Sequence, residues 1–144
     1  IKGVDSTKRV TRATLKAGAK LVVMERLITH GVQTAESQFD VYLEGEDSGA
    51  NVVSRSVARD ESQQLFVSTL HGNAKCSGHT ECDSIIMGNA KISSIPEIAA
   101  NHVDAQIVHE AAIGKINSDQ LVKLQTFGLS SEEAETVIVD GFLK

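Results

Sequence analysis

The chain has 144 residues, enough for one domain with a buried core. Its formal charge of −5 argues against a nucleic-acid partner, because phosphate binding draws on clustered Lys and Arg. The longest purely apolar run, LVVM at 21–24, is far too short for a membrane span; two cysteines make no disulfide framework, so the expected setting is a reducing one, the cytoplasm.

The first twenty residues carry a basic run, Lys2, Lys8, Arg9, Arg12, Lys16 and Lys20, without the interleaved aromatics that base stacking needs. It is expected to be a solvated charged edge. From there to about residue 113 the pattern is strand-like. Phe39, Val41 and Leu43 alternate with polar neighbours, Leu65 to Val67 and Ile85 to Met87 are brief apolar runs, and Val103, Ala105 and Ile107 alternate again. With four Phe, one Tyr and no Trp, any core must be built from aliphatic side chains; with one Pro against eleven Gly, turns fall to Gly, Asn, Asp and Ser.

Residues 71–91 read HGNAKCSGHTECDSIIMGNAK, with Gly-Asn-Ala-Lys at both ends. Between Ala74 and Ser84 the even positions are all small (Ala, Cys, Gly, Thr, Cys, Ser) and the odd positions from Asn73 to Asp83 are polar. Successive strand residues point to opposite faces, so an extended chain presents a small inward face of the kind a narrow solenoid accepts. Gly-Ala or Gly-Asn signals at Gly49, Gly72 and Gly88, spaced 23 and 16 residues apart, suggest corners of stacked rungs with loops of varying length. The leading expectation is a right-handed parallel β-helix over residues 1–113, followed by a helical segment over 114–144; a β-sandwich is the alternative. In the tail, Asn117 with Gln120 and Ser130 with Glu133 resemble capping boxes, and Gly128 stands at a C-cap position. Two helices follow, 118–127 and 131–140.

Cys76, His79 and Cys82 invite a zinc reading. The spacing supplies only three ligands, with His71 the one nearby fourth, and the alternation turns His79 away from both thiols. The residues alone favour two small buried core cysteines. His109-Glu110 falls short of the zincin motif, because Ile113 stands where the second histidine is required. No nucleophile elbow, P-loop or dinucleotide fingerprint occurs.

Taken together, ECDSIIMG, SSIPEIAA and HEAAIGKINSDQLVKLQTFGLSSEEAETVIVDGFLK resemble the C-terminal core of the SufB/SufD family, from about residue 40 to the end and most densely from Glu81 onward. The resemblance implies a scaffold of iron–sulfur cluster assembly, not itself an enzyme, built on a right-handed parallel β-helix. Implied partners are a SufC-type ATPase, a second SufB/SufD-type subunit and a sulfur donor system. In the SufB type, the cysteine of C-D-S and the glutamate of H-E-A are implicated in assembly; carried over, these are Cys82 and Glu110. The SufD type keeps a histidine at the position of His109. Cys82, His109 and Glu110 are thus the expected donors to a transient cluster, and Cys76 has no assignable counterpart. Leu121, Leu124, Phe127, Val137 and Phe142 are the expected ATPase dock. The longer family members carry an N-terminal region and further rungs, and the start at Ile1 suggests a fragment whose cut end favours a dimer or higher assembly. Two alternatives stand beside the scaffold. One is a paralogue that binds the ATPase without carrying a cluster. The other is a β-helix carbohydrate enzyme using Asp40, Glu44, Glu46 or Asp47, which the scarcity of aromatics disfavours.

Overall fold

A computed structural model describes residues 3–144; Lys2 of the basic run lies outside them. Eight strands follow in order: β1 (Ser6–Leu15), β2 (Lys20–Thr29), β3 (Thr34–Leu43), β4 (Ser48–Ala58), β5 (Gln63–Gly72), β6 (Cys76–Ile86), β7 (Lys91–Ala100) and β8 (Ala105–Gly114). Two helices, α1 (Ser118–Thr126) and α2 (Ser131–Phe142), end the chain. Odd strands form one sheet, β1-β3-β5-β7, and even strands a second, β2-β4-β6-β8. Every pairing within them is parallel. Each rung therefore takes one strand from each sheet, and the chain climbs four rungs of a parallel β-solenoid. A sandwich, whose sheets are antiparallel, is excluded.

Ser6 faces Thr34, Thr34 faces Gln63, and Gln63 faces Lys91, so one rung takes 28 or 29 residues. The Gly-Asn and Gly-Ala spacings of 23 and 16 are not that step. Gly49 lies inside β4, and the two Gly-Asn-Ala-Lys copies sit at different corners, one after β5 and one after β6. The corners that do recur are marked by backbone rather than by residue type. Gly31, Asp60 and Gly88 share a positive φ of 57°, 60° and 68°, one rung apart, and Gly18 and Asp47 share φ of 70° and 58°. Gly and Asp both tolerate this left-handed region, so the repeat is conserved in shape and hidden in letters. At the same corner as Gly18 and Asp47 a polar ladder climbs the rungs: Asn73 Nδ2 donates to Glu44 Oε1 at 2.7 Å, and Asn101 Nδ2 to Asn73 Oδ1 at 2.7 Å.

The interior divides lengthwise. Leu15, Phe39, Val41, Leu43, Ala50, Val52, Phe66, Leu70 and both cysteines form the apolar part. Burying each of the larger aliphatic or aromatic chains contributes about 1.5–3 kcal/mol. The rest is largely polar and mostly hydrogen-bonded, with Ser48 Oγ and Gln64 Oε1 buried without a partner among the described residues. Thr29 and Ser62 hydroxyls meet at 2.9 Å, Ser56 and Ser84 at 2.9 Å, and buried Glu25 accepts from Ser37 Oγ at 2.6 Å, Ser54 Oγ at 2.8 Å and the Arg9 guanidinium. The basic N-terminal run pairs one rung along, with Lys8 on Glu36 at 2.8 Å and Arg12 on Asp40 at 3.1 Å, as a charged edge should. Asp40, Glu44 and Asp47 are each engaged in such contacts, with Arg12, Asn73 and Lys75.

The helical tail begins four residues past β8. Ser130 and Glu133 form the full reciprocal capping box; Asn117 instead accepts from Asp119 N, without the return bond from Gln120. Gly128, at φ 95°, closes α1 by donating to Gln125 O. Arg26, on the outer face of β2, donates to the carbonyl oxygens of Leu143 and Lys144, tying the end of the tail to that sheet. Val53 and Val57 hold outward positions on β4 and are nevertheless buried.

Gly78 sits on the inner face of β6, where an added Cβ would lie 2.6 Å from Leu70 Cδ2 and 3.3 Å from Leu43 Cδ1. Gly78→Val is expected to lower stability by about 1–3 kcal/mol in urea unfolding. Ser77→Ala, one residue earlier on the exposed face, should change it by no more than about 0.5 kcal/mol.

Candidate functional site

The alternation read between residues 74 and 84 holds in β6. Cys76, Gly78, Thr80, Cys82 and Ser84 are buried inward, while His79, Glu81 and Asp83 are half-buried on the outer face. Strand geometry then disposes of a zinc knuckle. The two thiols share a face but lie six residues apart, about 20 Å along an extended strand. His79 points the other way, and the His71 ring stacks on Tyr42 at 4.4 Å between centroids on the other sheet. Both cysteines are free and buried.

Cys82 stands in an inward ladder with Ser54 on the rung before it and Ala111 on the rung after. It is 1% exposed. Its Sγ lies 3.7 Å from Ser84 Oγ. Burial pushes the thiol pKa up; the Ser84 and Ser94 hydroxyls work against that, and the Asp83 and Glu25 carboxylates add to it. The resting group is therefore a protonated thiol, which becomes a ligand when a metal displaces its proton.

His109 is half-buried on β8, the last strand of its sheet. It faces Thr80 in register, and its Nδ1 lies 2.6 Å from Thr80 Oγ1, so its side chain shares the inner face with Cys82. The two are diagonal neighbours, one rung and two residues apart, on the order of 8 Å between Cα atoms. Burial lowers the His109 pKa, with the nearby His79 ring acting in the same direction. A neutral imidazole is the ligating form.

Glu110 follows His109 and so lies on the opposite face. Its Oε2 is 3.2 Å from His79 Nε2, and Glu81 stands beside it in register. The Glu81 pKa is raised, first by its hydrogen bond with Asp83, then by burial and the Asp83 charge, against lowering by His79 and Arg55. Of the three expected donors, then, Cys82 and His109 share the inside and Glu110 is outside with His79 and Glu81. Sequence reasoning weighed His79 only against the cysteines and left Glu81 out. The 29-residue step from β6 to β8 is the signal that joins them to Glu110. His102 lies in the turn before β8, not in a strand, and its Nδ1 accepts from Asp104 N at 3.1 Å.

In the tail, Leu121, Leu124 and Phe142 are half-buried, whereas Phe127 and Val137 are exposed, joined by Val122, which the sequence did not single out. Ala134 and Val139 are the buried side of α2. Among the described residues no helix is long and apolar enough to cross a membrane.

The fold is thus a parallel β-solenoid ending in a two-helix tail, with one thiol and one imidazole on the inner face of its last two even strands. Comparison with known families gives its relatives. The profile of the SUF system FeS cluster assembly SufBD core domain matches residues 3–142. An iron–sulfur cluster assembly SufBD family protein of Pyrococcus horikoshii is 39% identical over 103 residues, covering 71% of this chain and 32% of that protein. One from Methanocaldococcus jannaschii is 39% identical over 104 residues, 72% of this chain and 33% of its own length. A relative in Galdieria sulphuraria is 29% identical over 125 residues, 81% of this chain and 55% of that protein. The chain belongs to the SufBD family of iron–sulfur cluster assembly proteins. It spans about a third of the length of the two archaeal relatives.

The depressed His109 pKa sets a pH dependence. An unfolded histidine titrates near pH 6.5, so below that value the unfolded chain binds the proton more readily than the native one, and acidification favours unfolding. The contribution is whole above about pH 6.5 and is lost as pH falls through the native pKa. Glu81, with its raised pKa, works in the opposite sense at lower pH. Between about pH 7.5 and about pH 5.5 the urea midpoint should therefore fall further for the native sequence than for His109→Gln.

Proposed function

We propose that this chain is part of a scaffold subunit that holds a nascent iron–sulfur cluster, with Cys82 and His109 as inner donors and Glu110 as an iron-binding carboxylate on the outside of the same strand. The observation that carries the reading is the shared inner face of Cys82 and His109 on neighbouring rungs. Thiolate is the preferred cluster ligand, and imidazole and carboxylate are more exchangeable, which suits a scaffold that must release what it builds. The cluster is cargo. Because the Cys82 thiol is protonated at rest, loading releases a proton and is favoured as pH rises.

One thiolate and one imidazole do not complete the ligand set of a four-iron cluster, so further donors come from a second SufB/SufD-type subunit or from small thiols supplied with the sulfur. The last strands, β7 and β8, each leave one edge unpaired within their sheets, and an unpaired strand edge is a template for such a subunit. The exposed Phe127 and Val137, with Leu121, Leu124 and Phe142 behind them, form the surface for a SufC-type ATPase in this reading.

A second reading is favoured by the near-complete burial of Cys82: an interaction paralogue that binds the ATPase and carries no cluster. Anaerobic reconstitution with iron and sulfide separates the two. Cys82→Ala should keep the fold, since Ala111 already fills the next position of that ladder, and should lose bound iron and sulfide to background. Cys76→Ala should retain them. Equal cluster content in Cys82→Ala and the native sequence would sink the assignment, and loss in Cys76→Ala alone would move it to the other thiol. Replacing Phe127 and Val137 together by Ser should reduce co-purification with the ATPase while leaving reconstitution unchanged.

A further inference from the structure

The outer face of the last two even strands carries a donor group that uses neither cysteine. One ligand atom each from His79, Glu81 and Glu110 lies within 4.8 Å of the other two. Register brings them together: Glu81 faces Glu110 across the β6–β8 pair, and His79 is two residues back on the same face. The imidazole is also oriented from behind. Asn51, the residue facing His79 on β4, places Oδ1 2.9 Å from His79 Nδ1.

A carbonyl oxygen only accepts, so Nδ1 holds a proton and donates it to Asn51, leaving Nε2 aimed at Glu110 Oε2, 3.2 Å away. A lone pair set against a carboxylate oxygen at that distance is repulsive unless positive charge lies between them. A second proton on the ring serves that one pair. A metal ion serves both and also Glu81, whose carboxylate is crowded by Asp83 on the same face. Arg55, 3.9 Å from Asp83, is one guanidinium beside the carboxylates of Asp83 and Glu81. An imidazole fixed through its second nitrogen by an oxygen acceptor is the usual support of a metal-ligating histidine.

We propose that His79, Glu81 and Glu110 form a mononuclear site for a first-row divalent transition ion of the iron(II) type. The donors select the class. Calcium and magnesium take oxygen ligands, and copper(I) takes sulfur; one imidazole with two carboxylates suits iron, manganese, cobalt or zinc. Donor atoms around such an ion stand about 3–3.5 Å apart, so closure by at most about 1.3–1.8 Å completes the set, within the rotation of two glutamate side chains. All three ligands approach from one face of the sheet, which leaves the solvent side of the ion open for water or for exchange. The site shares Glu110 with the scaffold reading but neither thiol, so ion binding and cluster assembly stand or fall separately.

Cobalt(II) is the probe, because its visible spectrum reports ligand type. Anaerobic titration of the chain, followed by calorimetry and absorbance, should give one ion per chain with d–d bands and no thiolate-to-cobalt charge transfer in the near ultraviolet. Binding should persist in the variant carrying both Cys76→Ala and Cys82→Ala. It should weaken at least about tenfold in His79→Ala, Glu81→Gln and Glu110→Gln, and about tenfold in Asn51→Ala, which removes only the supporting oxygen. These residues lie outside the core, and circular dichroism should find each variant folded. Three results would overturn the site: no saturable binding, binding lost in the double cysteine variant, or affinity unchanged by His79→Ala. Cobalt binding with failed cluster reconstitution would leave this site standing and remove the scaffold reading; the reverse would do the opposite.

Discussion

Strand pairing at a fixed step of 28 or 29 residues governs every other feature of the molecule. In a parallel solenoid each residue is held beside its counterpart one rung along by backbone hydrogen bonds, so the step decides which side chains form a ladder and on which face. A slip of one residue would turn every inward side chain out. The alternation between 28 and 29 comes from the eleven-residue strands β4 and β6 and from the three-residue corner at 73–75, while the corners that hold left-handed Gly and Asp keep four residues each. Cys82 beside Ala111, His109 beside Thr80, and Glu110 beside Glu81 are all consequences of that one constraint.

The constraint also explains an interior that is unusual for its polarity. A two-sheet rung is narrow, and where large aliphatic chains do not meet, the space admits only small residues. Hydroxyls serve there because neighbouring rungs bring them within bonding distance of each other, as Thr29 with Ser62 and Ser56 with Ser84. Buried polar groups are tolerable when paired, and the register supplies the partners. Cys82 occupies a place in the Ser54 ladder where another hydroxyl would fit equally well by size. The thiol there joins the apolar part of the interior instead, as a free buried cysteine commonly does.

How much of this was legible follows from which periodicity carries it. The two-residue alternation within a strand survives in the sequence, so the inward set from Cys76 to Ser84 and the outward turn of His79 could be read directly. Helix ends were legible for the same local reason: Ser130 with Glu133 needs only a three-residue window. The rung step was not, because its markers are a backbone conformation that Gly31, Asp60 and Gly88 share and no common letter announces. The repeated Gly-Asn-Ala-Lys was a false guide, since its copies serve unlike corners. Alternation alone parts His109 and Glu110 to opposite faces; what needed the step was which neighbour each meets, Thr80 inside and His79 outside.

That parting has a chemical meaning. Consecutive residues on β8 offer an imidazole to the inner face, near Thr80 and Cys82, and a carboxylate to the outer face, beside another imidazole and carboxylate. Softer donors therefore gather on one side of the sheet and harder ones on the other, with the hydrogen-bonded backbone as a partition only one strand thick. Between β6 and β8 the partition is closed, because the backbone groups there are committed to each other. On the far side of β8 no strand follows within the sheet. The free edge of β8 thus keeps backbone donors and acceptors uncommitted, beside both faces of the sheet at once.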